Sequence, residues 1–471
     1  MLHPAFRLFW SVSLLIAVLT LCLLQGSPAL ASAEKFPVFP CIQDNVRFWE
    51  AIYSRYTTHQ GVVHDSENLR RVYGVISLQD SRIPGAGAVN SARKDEAKQH
   101  VQAVLERLAS GHAPRTVEER RIAALFPTRR AAAYREAAGR LRVQVGQSDR
   151  FHAGVLRSGR YLPQFRHIFA SKGLPPELAY LPHVESSFNP KAYSKAGASG
   201  LWQFTPGTGK EFMMINDLVD ERRDPYRSAV AAAELLEENY RQLGDWPLAL
   251  TAYNHGRQGM KRALKARGSY EKIFLTYNEG SFKFASRNFY SEFLAAMRVA
   301  QRLERNPHII REAPEWTTSF RLRQAAPLHR VRAETGLSQS EFLRLNPALL
   351  APVTSGTKPV PAGYRVRTLA KKRPENVTPA RAAIVAPRPN GQQQLAPPRK
   401  PGKQTPSRVA RPASPADSTI AFRTYTLKKG ETITTVARKF NVLPREILAA
   451  NPGRDSRLPR AGDTIRIPAS R

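Results

Sequence analysis

The sequence predicts a mainly α chain that ends in small α+β modules of βααβ order. Three observations carry this. Apolar residues recur at helical spacing through the middle of the chain. From Lys371 to Ile420 the composition shifts to ten prolines, ten Lys/Arg, two acidic residues and no aromatics, which cannot bury a core. A short unit repeats on either side of that stretch. With 42% hydrophobic and 9% aromatic residues among 471, the chain can bury a sizeable core, and wholesale disorder is excluded. The length allows about two to four domains.

The N-terminus reads as a secretory signal peptide over residues 1–33. Arg7 precedes Leu8–Leu24, a run of 17 residues without charge, and Ala29-Leu30-Ala31 and Ala31-Ser32-Ala33 offer small-x-small cleavage sites. An uncleaved anchor helix is the alternative, and a run of 17 is short for a bilayer. Cys22 follows Leu21, where a lipoprotein signal would place a small residue. Cleavage would leave Cys41 as the only thiol. Two cysteines exclude a disulfide framework and a Cys-rich zinc site.

Residues 34–150 read as a helical, polar-rich accessory region. Lys94–Leu108 puts Val101, Val104, Leu105 and Leu108 on one helical face. No chemistry is evident there.

Residues 151–305 carry the candidate site. Leu174-Pro175-Pro176-Glu177-Leu178 predicts a helix start, with proline in the first turn. Leu174, Leu178, Leu181 and Glu185 follow at spacings of four, three and four, so Glu185 continues an apolar stripe. Burial there would push its pKa upward, which suits a general acid. From spacing alone, a helix-terminal Glu turned to solvent is the more economical reading. Asn189-Pro190 stops the helix, Ser194–Gly200 forms a glycine-rich turn, and Gly200-Leu201-Trp202-Gln203-Phe204 supplies an aromatic and an amide. Asp224-Pro225 starts a further helix that Gly244 ends, and Ala252-Tyr253-Asn254-His255-Gly256 closes another segment. Asp220, Asp224 and Asp245 read as caps and turn residues, His183 as structural and His255 as a neighbour without a role.

In the repeat, Val331–Pro347 aligns without gaps on Val436–Pro452, sharing Val331/Val436, Glu341/Glu446, Leu343/Leu448, Asn346/Asn451 and Pro347/Pro452. The second copy, 422–468, has a strand at Thr424–Leu427, a turn at Lys429-Gly430-Glu431, two short helices and a closing strand at Thr464–Ile467. It resembles the LysM module, which binds N-acetylglucosamine-containing glycans. That resemblance implies a sugar groove between the Gly430, Glu431, Thr432, Ile433 loop and the segment after Asn451. The first copy, 315–369, is degenerate, with Ala325-Ala326-Pro327 in place of the Gly-Glu-Thr loop. A basic Pro-rich linker, 370–421, joins the two.

Phe151–Arg302 resembles the lysozyme-like domain of soluble lytic transglycosylases. Together with the LysM modules, the arrangement looks like the membrane-bound lytic transglycosylase D family. The strings that carry this are Ser158-Gly159-Arg160-Tyr161-Leu162-Pro163, Leu181-Pro182-His183-Val184-Glu185-Ser186-Ser187-Phe188-Asn189-Pro190, Gly197-Ala198-Ser199-Gly200-Leu201-Trp202-Gln203 and Ala252-Tyr253-Asn254. The resemblance implies Glu185 as sole catalytic acid/base, cleaving between N-acetylmuramic acid and N-acetylglucosamine with a 1,6-anhydro product. It also implies Ser194, Gln203, Tyr253 and Asn254 as substrate- or Glu-contacting residues, with no metal or cofactor. The sequence departs from the family's Glu-Thr-Arg-x-Tyr-Val string, offering Ala285-Ser286-Arg287-Asn288-Phe289-Tyr290. No partner acid stands near Glu185 in its motif, although a distant one could fold in.

A muramidase on the same fold and a non-catalytic wall-binding scaffold are the competing functions. Peptidoglycan strands are the expected partner, with no obligate protein partner. The net charge of +34 and pI near 10.7 first suggest nucleic acid, which export and the absence of base-reading motifs argue against. Residues 315–471 hold +20 of that charge, as +5 in the degenerate copy, +8 in the linker and +7 in the last module. Such a tail suits an anionic wall or membrane surface in the periplasm or cell envelope.

Overall fold

A computed structural model describes residues 35–370, 422–428, 431, 433–440, 442, 446–447, 450–451 and 462–468. The expected signal segment and, from residue 371, the expected linker lie outside the described residues. Among those described, no helix is long and apolar enough to cross a membrane. The chain divides into two compact units. One runs to Thr205 and resumes from Asn216 to Ala382, and the other comprises Pro206–Ile215 and the chain from Ala383.

The first unit opens with α1 (Gln43–Ser54). The helical expectation for 34–150 is corrected at the next elements. β1 (Gln60–Asp65) pairs antiparallel with β2 (Val72–Ser77) on one side and β3 (Leu141–Val145) on the other. These runs are short and rich in Val, Ile and Tyr, which favour a pleated, half-buried surface. α2 (Ala86–Ala109), α3 (Val117–Ala124) and α4 (Ala131–Ala138) form one core with the sheet, in which Val101, Val104, Leu105 and Leu108 meet Val63, Tyr73, Ile122, Phe126 and Tyr134.

The helical body follows. It comprises α5 (Ser148–Ser171), a 3₁₀ turn at Pro176–Tyr180 and α6 (Pro182–Glu185). The single helix expected here is thus two short pieces. Pro182 lacks the N–H that would bond back to Leu178, so the chain changes from 3₁₀ to α at that point. α7 (Pro206–Phe212) belongs to the second unit. α8 (Pro225–Leu243), α9 (Trp246–His255), α10 (Arg257–Arg267), α11 (Tyr270–Thr276) and α12 (Phe284–Glu304) complete the body.

The three aspartates expected at caps are caps. Asp220 accepts from Arg222 N, Asp224 from Tyr226 N and Arg227 N, and Asp245 from Leu248 N. Each satisfies amides the helix start leaves open, worth about 1 kcal/mol apiece. Gly244, at φ +89°, ends α8 in the left-handed conformation.

β4 (Thr317–Arg321) and β5 (Arg365–Leu369) pair antiparallel around α13 (Leu328–Thr335), α14 (Gln339–Leu345) and α15 (Ala351–Thr354). This module is welded to the helical body. Asp220 N donates to Ala348 O at 2.8 Å, and Leu350 N to Leu218 O at 2.9 Å. The Arg367 guanidinium reaches Asp224 Oδ2 through Nε at 3.0 Å and Nη2 at 2.9 Å, with both side chains buried.

In the second unit, β6 (Phe422–Thr426) pairs with β7 (Thr464–Pro468), and α16 (Ile433–Lys439) packs on them through Val436 and Ala437. The two copies share one internal lock. Asn346 donates to Phe342 O and Arg367 O and accepts from Arg367 N at 2.8 Å. Asn451 does the same with Ile447 O, Arg466 O and Arg466 N, the last at 2.8 Å. The shared asparagine therefore ties the second helix to the closing strand in both.

Candidate active site

Glu185 ends α6 and is half-buried, with Leu178 and Leu181 fully buried before it. The chain then reverses through Ser187 (φ +48°) and Phe188 (φ +52°). Left-handed backbone in bulky residues is costly and persists only where the surroundings impose it. Phe188 is driven into the core against Phe165 and His183. Arg157 on α5 clamps the reversal, donating from Nη2 to Ser187 O at 2.7 Å and from Nε to Phe188 O at 3.1 Å. Gly154 makes the approach possible, because a Cβ there would lie 2.6 Å from Ser187 O. The turn presenting Glu185 is rigid by construction.

Burial, and after it the neighbouring Glu292 charge, together push the Glu185 carboxyl up to about 8. His183, two residues earlier, is fully buried among Phe151, Tyr180 and Phe188, and burial drives its pKa down to about 3. It is a neutral core ring, as the sequence suggests.

The Ser194–Gln203 turn lies against this reversal, with Ser186 Oγ donating to Leu201 O at 2.8 Å. Ser194 Oγ accepts from Ala198 N at 3.0 Å, leaving its proton free to point outward. Gln203 (φ +46°) spends its amide on Gly200 O at 2.8 Å and Ala192 O at 3.3 Å. Gly200 is required, since a Cβ would lie 2.1 Å from Arg222 O. Arg222, paired with Asp220, donates to Gly197 O at 2.7 Å and Phe204 O at 3.1 Å, fixing both ends of the turn. Tyr253 donates its hydroxyl to Trp202 O at 2.7 Å, and burial together with the Glu185 charge raises its pKa. Asn254 is exposed and accepts from Ser286 Oγ at 3.0 Å. Glu185, Ser194, Gln203, Tyr253 and Asn254 thus belong to one set of interlocked segments. His255 stands edge-on to Phe282, away from any hydrogen-bonded role in that set.

Glu292, next to Glu185, and its two partners went unread in the sequence. Glu292 on α12 also stands at about 8, raised by burial against the opposing pull of Arg142 on β3 and of a hydrogen bond from Tyr53 on α1. Tyr53 is buried, its pKa raised by burial and by the charges of Glu292 and Glu185. The signal was present: Glu292 is the lone carboxylate in the run Phe289–Ala300, and Asn45, Trp49 and Tyr53 recur at helical spacing. Tyr290, the last residue of the divergent Ala285–Tyr290 string, donates to Pro37 O at 2.9 Å and packs edge-on against Tyr270.

In the LysM-like copy at 422–468, Glu431 is held inside the module. It accepts from Tyr425 Oη at 2.9 Å and from Lys428 N at 2.9 Å, and Lys439 stands 3.9 Å away. Ile433 starts α16 and packs against that module's core. Gly430 and Thr432 lie outside the described residues.

Two family descriptions match the chain: Transglycosylase SLT domain over residues 168–276 and LysM domain over residues 425–468. Membrane-bound lytic murein transglycosylase D of Escherichia coli (strain K12) is 25% identical over 327 residues, 68% of this chain and 65% of that protein. The chain therefore spans a little under two thirds of the length of that relative. The putative tributyltin chloride resistance protein of Alteromonas sp. (strain M-1) is 39% identical over 114 residues, 23% of this chain and 55% of that protein. The transglycosylase of Enterobacteria phage PRD1 is 34% identical over 110 residues, 23% of this chain and 40% of that protein. Glu185 and its interlocked turns all fall inside the first match, and the chain carries a Transglycosylase SLT domain followed, near its C-terminus, by a LysM domain.

Proposed function

We propose that the protein is a peptidoglycan lytic transglycosylase of the cell envelope. The observation that carries this reading is Glu185, a carboxyl that burial keeps protonated near neutral pH on a clamped, strained turn. Glu185 donates its proton to the glycosidic oxygen between N-acetylmuramic acid and N-acetylglucosamine, and the C1–O bond breaks toward an oxocarbenium-like state. The carboxylate left behind takes the C6 hydroxyl proton as O6 bonds to C1, closing a 1,6-anhydro ring. Glu185 ends the cycle protonated again, ready for the next bond, with no net proton taken from or given to solvent. The nucleophile belongs to the substrate, so one acid/base suffices.

Ser194, Gln203, Tyr253 and Asn254 serve the glycan on the surrounding turns. Ser194 has a proton to offer an acetamido group, and Asn254 is exposed beside Tyr253. The LysM domain, through its loop at Gly430, Glu431, Thr432 and Ile433, holds the enzyme on its polymer, and the linker at 370–421 raises local concentration. Export by the segment 1–33 places it in the periplasm, with the basic C-terminal region drawn to the anionic wall or membrane surface.

A second reading, hydrolysis by a muramidase, is favoured by one observation: Glu292 supplies a second carboxyl beside Glu185, as paired-acid glycosidases require. Mass spectrometry of fragments released from sacculi separates the two. Anhydro-muramic ends are expected, and reducing muramic ends would establish hydrolysis. Glu185→Gln should stop release of either while sacculus pull-down persists; release by that variant would remove Glu185 from the chemistry.

A further inference from the structure

α1 lies along α12, and the register is fixed by hydrogen bonds. Asn45 Nδ2 donates to Asn288 Oδ1 at 2.7 Å, Trp49 Nε1 approaches the same oxygen at 3.4 Å, and Arg298 pairs with Glu50 at 3.4 Å. One helical turn beyond Trp49 is Tyr53, and one turn beyond Asn288 is Glu292, so the same register sets the phenol against the carboxyl. The Tyr53 ring packs on Phe151 with centroids 4.8 Å apart, and Phe151 stacks on His183 at 4.9 Å, two residues from Glu185. On the other side, the Arg142 guanidinium lies 4.2 Å over the ring of Phe284, two turns before Glu292 on α12. α1 and β3 thus bring a donor and a cation to Glu292, from the region the sequence left without chemistry.

Among the described residues, few charged or titratable groups face this pair. Glu292 faces Arg142 from β3, Tyr53 from α1 and Glu185 from α6. Glu185 faces Glu292 from α12, Tyr53 from α1 and Tyr253 from α9. Two carboxyls packed together do not both ionise readily, and with both raised to about 8 they come to share one proton as the pH climbs through that value. Arg142 and the Tyr53 hydroxyl favour the charge on Glu292. Among the described residues no cation faces Glu185, and the Tyr253 hydroxyl donates its hydrogen bond to Trp202 O instead.

From this asymmetry we infer that Glu292, held by Tyr53 and Arg142, is a positioning residue that directs the shared proton to Glu185 and so sets the pH range over which Glu185 can act. The inference rests on the proposed role of Glu185 as acid. It assigns the N-terminal region a part in the site, and it gives Glu292 a duty other than activating water.

The test uses the full chain with glutamate side-chain carboxyls labelled with ¹³C. The high-pH resonance that disappears in Glu185→Gln is assigned to Glu185, and its titration is compared between wild type and Glu292→Gln. The midpoint is expected to fall by about one pH unit or more once the like charge is gone. An unmoved midpoint overturns the inference. In kinetics on soluble glycan, Glu292→Gln should carry the alkaline limb of kcat/KM to lower pH by the same amount. A uniform loss at every pH without displacement of the limb would assign Glu292 a merely structural role and overturn the inference too. Tyr53→Phe should lower the rate on the alkaline limb and add nothing in combination with Glu292→Gln, because it acts through that carboxyl; full additivity would contradict this. Reducing instead of anhydro ends from wild type would defeat the proposed reaction while leaving the titration result to decide this inference separately.

Discussion

Replacing Glu185 by Gln, close in shape but unable to ionise, should stabilise the folded chain near neutral pH while removing its activity. The carboxyl titrates near 4.5 when unfolded and at about 8 when folded. Between those values the folded state holds a proton that the unfolded state has released. Stability of the wild type therefore falls as pH rises through this window, with the full contribution present only below about 4.5. At pH 7 the cost is at most about 3 kcal/mol for a fully enclosed group. Glu185 is only half-buried, and solvent screening reduces the expected gain to about 1–2 kcal/mol. In a body of this size that is an upward shift in Tm of roughly 2–6 °C. Thermal unfolding of wild type and Glu185→Gln at pH 4.5, 7 and 8.5 measures it. The gain should be near zero at the lowest pH and largest at the highest. A destabilised variant, or a gain identical at all three, refutes the reasoning.

Other outcomes follow from particular contacts. Arg367→Ala strips the buried Asp224 carboxylate of its guanidinium and should cost about 3–5 kcal/mol, read as a lowered Tm of the first unit. Gly154→Ala forces a Cβ to 2.6 Å from Ser187 O, displacing the turn that presents Glu185; cleavage of soluble glycan should drop at least about tenfold with little change in secondary structure by circular dichroism. Asn451→Leu breaks the three hydrogen bonds that join helix to closing strand in the LysM domain. It should weaken sacculus pull-down while soluble-substrate turnover persists. Deleting residues 371–471 should weaken binding most in low salt, and salt-insensitive loss would separate charge from sugar recognition.

What the sequence made legible was local. Asp220, Asp224 and Asp245 could be read as caps because the amides they serve lie within three residues. The place of Glu185 beside an apolar stripe was also visible, although Pro182 turns the expected helix into a 3₁₀ piece and one α turn. The repeat declared Asn346 and Asn451, and both make the same three bonds. Long-range pairing was hidden. The strands at 60–65, 72–77 and 141–145 are five or six residues long, and β1 meets β3 across three intervening helices. Tyr53, Arg142 and Glu292 meet from three separate elements, and no spacing within any one of them announces the others. Glu431 stood in a loop expected to contact sugar, yet its carboxylate is engaged by Tyr425, which only the closed module brings to it.

The most direct test of the central claim is the chemical identity of the muramic end that the full chain leaves on purified sacculi, read by mass spectrometry beside Glu185→Gln. Wild type should leave 1,6-anhydro-muramic ends and the variant none. Reducing muramic ends from wild type, or undiminished release by Glu185→Gln, would contradict it.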